Sequence, residues 1–179
     1  MGSYINPELV MLDLETLGTR PGDAILSIGA VKFSPSQGIS ATFYRTISGE
    51  SCKEIGLRAT KATLEWWAKQ DEKVRKEAFK GEWHIKKVLE DFTIWLHPDS
   101  ILYGNGANFD NALLGAAYRA AGLDVPWKFW NDRCFRTLKN MFMKHRVERT
   151  GAEHHALEDA KYQALQLIQM VKDNGLELK

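Results

Sequence analysis

The chain has 179 residues, 44% hydrophobic and 26% charged, with a net charge of +1, which fits one globular domain over residues 1–179 with room for a full core. Near-neutral charge does not imply a long electrostatic footprint on nucleic acid and leaves room for a local basic patch, and no stretch has the length of a membrane span: Leu113 to Leu123 is short and interrupted by Arg119. Cys52 and Cys134, far apart and without a signal peptide, suit a reducing cytoplasm better than a disulfide scaffold.

The first element is the apolar run Leu9 to Thr16, followed by a turn at Gly18, Pro21 and Gly22, and it reads as a buried central strand. Residues two apart on a strand share a face, so Asp13 and Glu15 project side by side while Leu12 and Leu14 face the other way. Like charges at that separation repel, and burying them unpaired is costly. No Lys or Arg precedes Arg20. A divalent metal is the natural counter-charge, and all-oxygen ligation favours magnesium or manganese over zinc. A D-x-E at a strand end also occurs in surface hairpins and helix caps, so the pair needs partners elsewhere.

Ala24 to Phe33 reads as a second strand and, after a turn at Pro35 to Gly38, Ile39 to Ile47 as a third, an antiparallel meander. The period then changes. Thr60 or Thr63 can cap a helix through Leu64 to Ala68, a helical turn follows from Asp71 to Phe79, and His84 to Leu96 has amphipathic spacing before Pro98. Ile101 to Tyr103 is a short buried strand, Gly104-Asn105-Gly106 a turn, and Phe109 to Ala121 a helix ended by Gly122. A further strand or turn near Asp132, a helix over Arg136 to Met143 and a last helix from Ala156 to Lys172 complete the chain. The fold class is therefore α/β: a mixed sheet with helices packed on it.

Two more acids stand out. Asp110 falls in the first turn of its helix, where the helix N-terminus stabilises an anion with or without a metal. Asp159 shares a helix side with Ala156 and Gln163, and Glu158 is the more solvated of the two adjacent acids. Four separated acids and a histidine make chemical sense together: paired metal ions orient a water and neutralise the leaving oxygen of a phosphodiester, while histidine takes the proton.

These residues resemble the DEDDh exonucleases. The D-x-E-T-x-G motif is matched by Asp13 to Gly18, the F-D at a helix start by Asn105 to Asp110, and H-x-A-L-x-D by His154 to Asp159. Gly-Asn-Gly before the second motif and Phe129 to Arg133 are similar to phage-encoded and exonuclease VIII-associated members. The resemblance implies a ribonuclease H-like fold, with a mixed sheet flanked by helices, and metal-dependent removal of nucleoside 5′-monophosphates from a 3′ end. It implies two Mg2+ or Mn2+ ions: the first held by Asp13, Glu15 and Asp159, the second by Asp13 and Asp110, partly through water. His154 would be the general base, while Thr16 and Leu17 would touch the terminal nucleotide. Helical spacing alone puts His155, not His154, on the face of Asp159, so the two histidines remain alternatives from the residues themselves.

Trp66 and Trp67 point about 100° apart on a helix, so one packs inward and the other can stack on a base; Trp67 is assigned to the substrate. Trp127, Phe129 and Trp130 are expected to pack. Arg133, Arg136, Lys139, Lys144, Arg146 and Arg149 form either a solvated face or a phosphate track. The implied partners are a DNA or RNA 3′ end and no membrane, with a homodimer allowed. The phage-type resemblance favours DNA, with RNA close behind. A non-catalytic end-binding module is the alternative outside enzymes.

Overall fold

The computed structural model describes residues 8–178, so the ends of the expected 1–179 domain, residues 1–7 and 179, lie outside it. Five strands form one sheet in the order β3-β2-β1-β4-β5. They are β1 (Leu9–Thr16), β2 (Ile25–Ser34), β3 (Gly38–Thr46), β4 (Ile101–Gly104) and β5 (Asp132–Cys134). The meander β1-β2-β3 is antiparallel, whereas β4 runs parallel to β1 and β5 parallel to β4. The acidic strand is thus the central one, as its continuous apolar character requires.

Seven helices accompany the sheet among the described residues: α1 (Gly49–Glu54), α2 (Lys61–Trp67), α3 (Glu72–Ala78), α4 (Ile85–Trp95), α5 (Asp110–Ala120), α6 (Phe135–Phe142) and α7 (Ala156–Asn174). Thr60 caps α2 by accepting from the Thr63 N–H, and Asp71 caps α3. The short α1 has no counterpart in the sequence reading. Its six residues are too few for a periodic apolar face to declare itself.

The alternation along β1 divides the core in two. Val10, Leu12 and Leu14 pack with Leu26, Ile28 and Leu102 under α4 and α5, through Val88, Phe92, Leu114 and Tyr118. Leu9 and Met11 pack with Val31, Phe33 and Tyr103 under α6 and α7, through Phe135, Ala160, Ala164 and Leu167. Asp13 and Glu15 continue the second series. The period of the strand therefore aims both carboxylates at α7.

Glycines admit the helices beside these acids. Gly29 lies opposite Asp13, and a Cβ there would stand 2.2 Å from the Ala156 carbonyl carbon and the Leu157 nitrogen. Gly104, opposite Leu12, plays the same part for α5, with a Cβ only 2.3 Å from Asn111 Oδ1 and 3.0 Å from Asp110 Cβ. Both strands that flank β1 are bare at this level, so two helix N-termini reach the sheet where the acids emerge.

Of the three aromatics expected to pack near β5, only Trp127 does. Its ring meets Tyr118 and its indole N–H donates to Asp132 Oδ1 at 2.9 Å. Phe129 and Trp130 sit in a 3-10 turn, 79% and 60% exposed, their rings packed on each other rather than into the core. No described helix is long and apolar enough to cross a membrane.

Candidate active site

A cavity of about 540 Å³ opens at the C-terminal end of β1. Asp13, Glu15 and Thr16 line it from the strand, Trp66 and Trp67 from α2, and Asn105 and Phe109 from the approach to α5. His154, Asp159 and Gln163 close it from the α7 side.

Three of the four acids converge there. Asp13, Glu15 and Asp159 each place a carboxylate oxygen within 4.8 Å of the others. Asp110 reaches β1 from the first residue of α5, where its Oδ1 accepts the Leu14 N–H at 3.2 Å. Its Oδ2 is buried and has no hydrogen-bond partner among the described residues. Asp110 thus does more than sit at a helix start: it crosses to the acidic strand and leaves one oxygen unsatisfied.

Electrostatics follow from this crowding. Burial, then the charges of Asp110, Glu15 and Asp159, hold the Asp13 carboxyl well above the usual carboxylate range, against one amide donor from Gln163. Burial, with Asp159 and Asp110 adding to it, pushes Glu15 up to about 8. Burial pushes Asp110 up to about 7, against the N–H groups of Leu14 and Asn105, its own N–H, and the Arg136 guanidinium. Several buried acids that resist ionising together lack positive charge. Hard divalent cations prefer such oxygen donors, and the orphaned Asp110 Oδ2 is a ligand atom of the same kind. The residues present fit bound divalent metal.

The histidines separate by what they touch. His155 caps α7, its Nδ1 accepting the Glu158 N–H at 3.5 Å, its backbone N–H donating to Asp159 Oδ2 at 3.2 Å, and its ring stacked on Tyr44. His154 precedes the helix with φ of 58°, lines the cavity, and meets Trp66 edge-on at 4.9 Å. The helix face argued for His155 does not apply, because the helix begins only at Ala156.

Substrate-side expectations are redistributed. Thr16 lines the cavity, its hydroxyl donating to the Gly18 carbonyl at 2.7 Å. Leu17 does not line it: its side chain joins the core, and its backbone pairs with Ala24 and Thr60. Trp67 is 1% exposed and its indole N–H donates to the Thr16 carbonyl at 2.9 Å, so it braces the wall. Trp66, 38% exposed, is the ring that a base could reach.

Two contacts had only faint signals in the sequence. Gln163 Nε2 donates to Asp13 Oδ1 at 2.7 Å; the sequence places it one turn beyond Asp159 on the same side and reveals no more. Arg149 donates to Asp159 Oδ1 at 2.5 Å; the sequence offers it as one cation in a basic run.

The fold is shared with solved nucleases. The nuclease domain of 3′hExo, a DEDDh family member bound to rAMP, matches with a TM-score of 0.63 and 17% identity, over 97% of this chain and 96% of that one. Exonuclease X in complex with 5′ overhanging duplex DNA matches with a TM-score of 0.60 and 14% identity, over 94% of each chain. An exodeoxyribonuclease of Enterobacteria phage T4 is 24% identical over 155 residues, 71% of this chain and 68% of the relative. Residues 8–171 match the 3′-5′ exoribonuclease Rv2179c-like domain, and the chain belongs to that family.

Proposed function

We propose that this chain removes nucleoside 5′-monophosphates from the 3′ end of nucleic acid, using two divalent metal ions held by Asp13, Glu15, Asp110 and Asp159. The observation that carries the reading is the convergence of the acids: three carboxylates within 4.8 Å, and beside them a buried Asp110 oxygen with no partner among the described residues. Asp13, Glu15 and Asp159 would hold one ion, and Asp13 with Asp110 the other. Magnesium or manganese bound there supplies charge neutralisation at the scissile phosphate and a more acidic water.

The chain's residues supply the rest. His154, at the cavity rim, takes the proton from the attacking water onto its imidazole. Trp66 offers a face for stacking on the terminal base, a contact typically worth about 1–3 kcal/mol. Trp67 fixes the Thr16 carbonyl, and with it the strand end over which the terminal nucleotide lies. Unpaired thiols at Cys52 and Cys134 accord with a reducing cytoplasm.

On the sugar, RNA is the first reading, because the match to a family described as exoribonuclease spans residues 8–171. DNA is the second, favoured by the phage exodeoxyribonuclease. Matched 3′-labelled RNA and DNA strands of one sequence test both, with manganese or magnesium present. Release of labelled monophosphate from the 3′ end supports the reading, and the faster strand names the substrate. Cleavage of a circular strand at rates like those of the linear one would contradict it.

A further inference from the structure

The segment between α6 and α7 carries His154 and has no regular secondary structure, yet it is tied down at particular points. Arg149 Nε donates to the Gly151 carbonyl at 3.1 Å, and its Nη2 donates to the Ala152 carbonyl at 2.8 Å and to Asp159 Oδ1 at 2.5 Å. The guanidinium lies over the Tyr162 ring at 5.0 Å from its centroid. One side chain thus joins the approach to His154, a cavity acid and the flank of α7. A planar guanidinium can do this because its donors diverge in a fixed fork; a lysine ammonium presents a point charge.

Arg149 is not among the residues lining the cavity, so it stands behind Asp159. Asp159 keeps a second anchor, the His155 N–H on its Oδ2, and lies in the first turn of α7. Its orientation is therefore fixed twice. Among the described residues, the donor to the loop carbonyls at 151 and 152 is Arg149. Two residues beyond Ala152 comes His154 in a left-handed conformation, one that residues other than glycine adopt uncommonly.

We propose that Arg149 is a positioning residue that clasps the carbonyls of Gly151 and Ala152 to the carboxylate of Asp159, and thereby holds His154 in place over the acids. It acts through His154 and touches neither substrate nor water. The inference rests on the reading of His154 as the base, and its test separates the two.

The experiment compares Arg149→Gln and Arg149→Lys in the full chain, each alone and combined with His154→Ala. Amide hydrogen exchange over residues 150–155 is followed in metal-free protein. Both single variants should lose kcat by about 10–100-fold, as partners that orient catalytic groups do, with KM little changed. Lysine restores the charge but not the fork, so it should not rescue turnover. In the His154→Ala background neither substitution should cost anything further, because the group being positioned is gone. Exchange at 150–155 should quicken in both variants without metal. Wild-type kcat in both single variants, losses that multiply in the His154→Ala background, or unchanged exchange would each overturn the clasp. If His154→Ala itself turns over like wild type, it is the base assignment that fails, and the exchange measurement alone then judges whether Arg149 holds the segment.

Discussion

Gln163 reaches from the last helix to the first strand and donates its side-chain N–H to Asp13 Oδ1 at 2.7 Å, across 150 residues of sequence. That amide lowers the proton affinity of Asp13, which burial and the charges of Asp110, Glu15 and Asp159 raise. Gln163→Leu should therefore raise the manganese concentration needed for half-maximal activity several-fold, while the substrate KM changes little. An unchanged metal midpoint would show that Asp13 does not depend on this amide.

Acid crowding makes metal-free stability fall with pH. Glu15 is pushed up to about 8 and Asp110 up to about 7, above their ordinary carboxylate values. Between those ordinary values and the raised ones the folded chain binds more protons than the unfolded chain, so the contribution present at low pH is lost as pH rises through about 7 to 8. Thermal melts without metal should show Tm falling across that interval, and Glu15→Gln should flatten the fall. Manganese, which replaces the protons, should raise Tm more at pH 8 than at pH 6. A rise of the metal-free Tm over that interval that Glu15→Gln leaves untouched would contradict the assignment.

Gly29→Ala tests how α7 is seated. The new methyl would stand 2.2 Å from backbone atoms of Ala156 and Leu157, which cannot rotate away. Overpacking against side chains typically costs about 1–3 kcal/mol, and a backbone clash should lie at or above the top of that range. Because α7 carries Asp159, the melt of this variant should also lose most of its response to manganese. A variant with wild-type stability and metal response would mean that the helix has slack at this point.

The histidines should part company when each is replaced by alanine. His154→Ala should lose about 10²–10⁴-fold in kcat, the usual scale for a proton-transfer group, with little change in Tm. His155→Ala removes a helix cap worth about 1 kcal/mol and the stack on Tyr44, so it should lower Tm and cost less in kcat. The reverse pattern would show that the third motif has been aligned one residue out.

Adjacent tryptophans should divide in the same way. Trp66→Ala should raise KM, by a factor matching the loss of about 1–3 kcal/mol of stacking, in protein that melts like wild type. Trp67→Ala empties a buried site braced to the Thr16 carbonyl and should cost about 3–5 kcal/mol of stability. Equal KM effects from both would contradict this division.

Periodicity made the strands and most helices legible, because each buries a face whose spacing shows in the residues. Leu9 to Thr16 is the clearest case: its alternation determines which way Asp13 and Glu15 point, and the structure uses that direction. Convergence was harder to read. Nothing near Asp159 in sequence shows that Gly29 lets its helix close on β1, since the backbone a Cβ there would strike, at Ala156 and Leu157, lies more than 100 residues away; Gly104 precedes Asp110 by only six residues, yet in the sequence it reads as part of a turn. Trp66 and Trp67 show the same limit, for spacing separates their directions but does not say which side carries the core. Arg149 is the extreme instance, one cation among six in a basic run, marked out only by the carbonyls and the carboxylate that happen to surround it.

Everything functional depends on the acid quartet binding divalent cations. Calorimetric titration of the metal-free chain with manganese measures this directly, alongside Asp13→Asn, which removes the charge shared by both proposed positions. The account predicts two ions per chain in the wild type, with release of protons on binding, and loss of measurable binding in Asp13→Asn. Equal stoichiometry and affinity in the two proteins would contradict it.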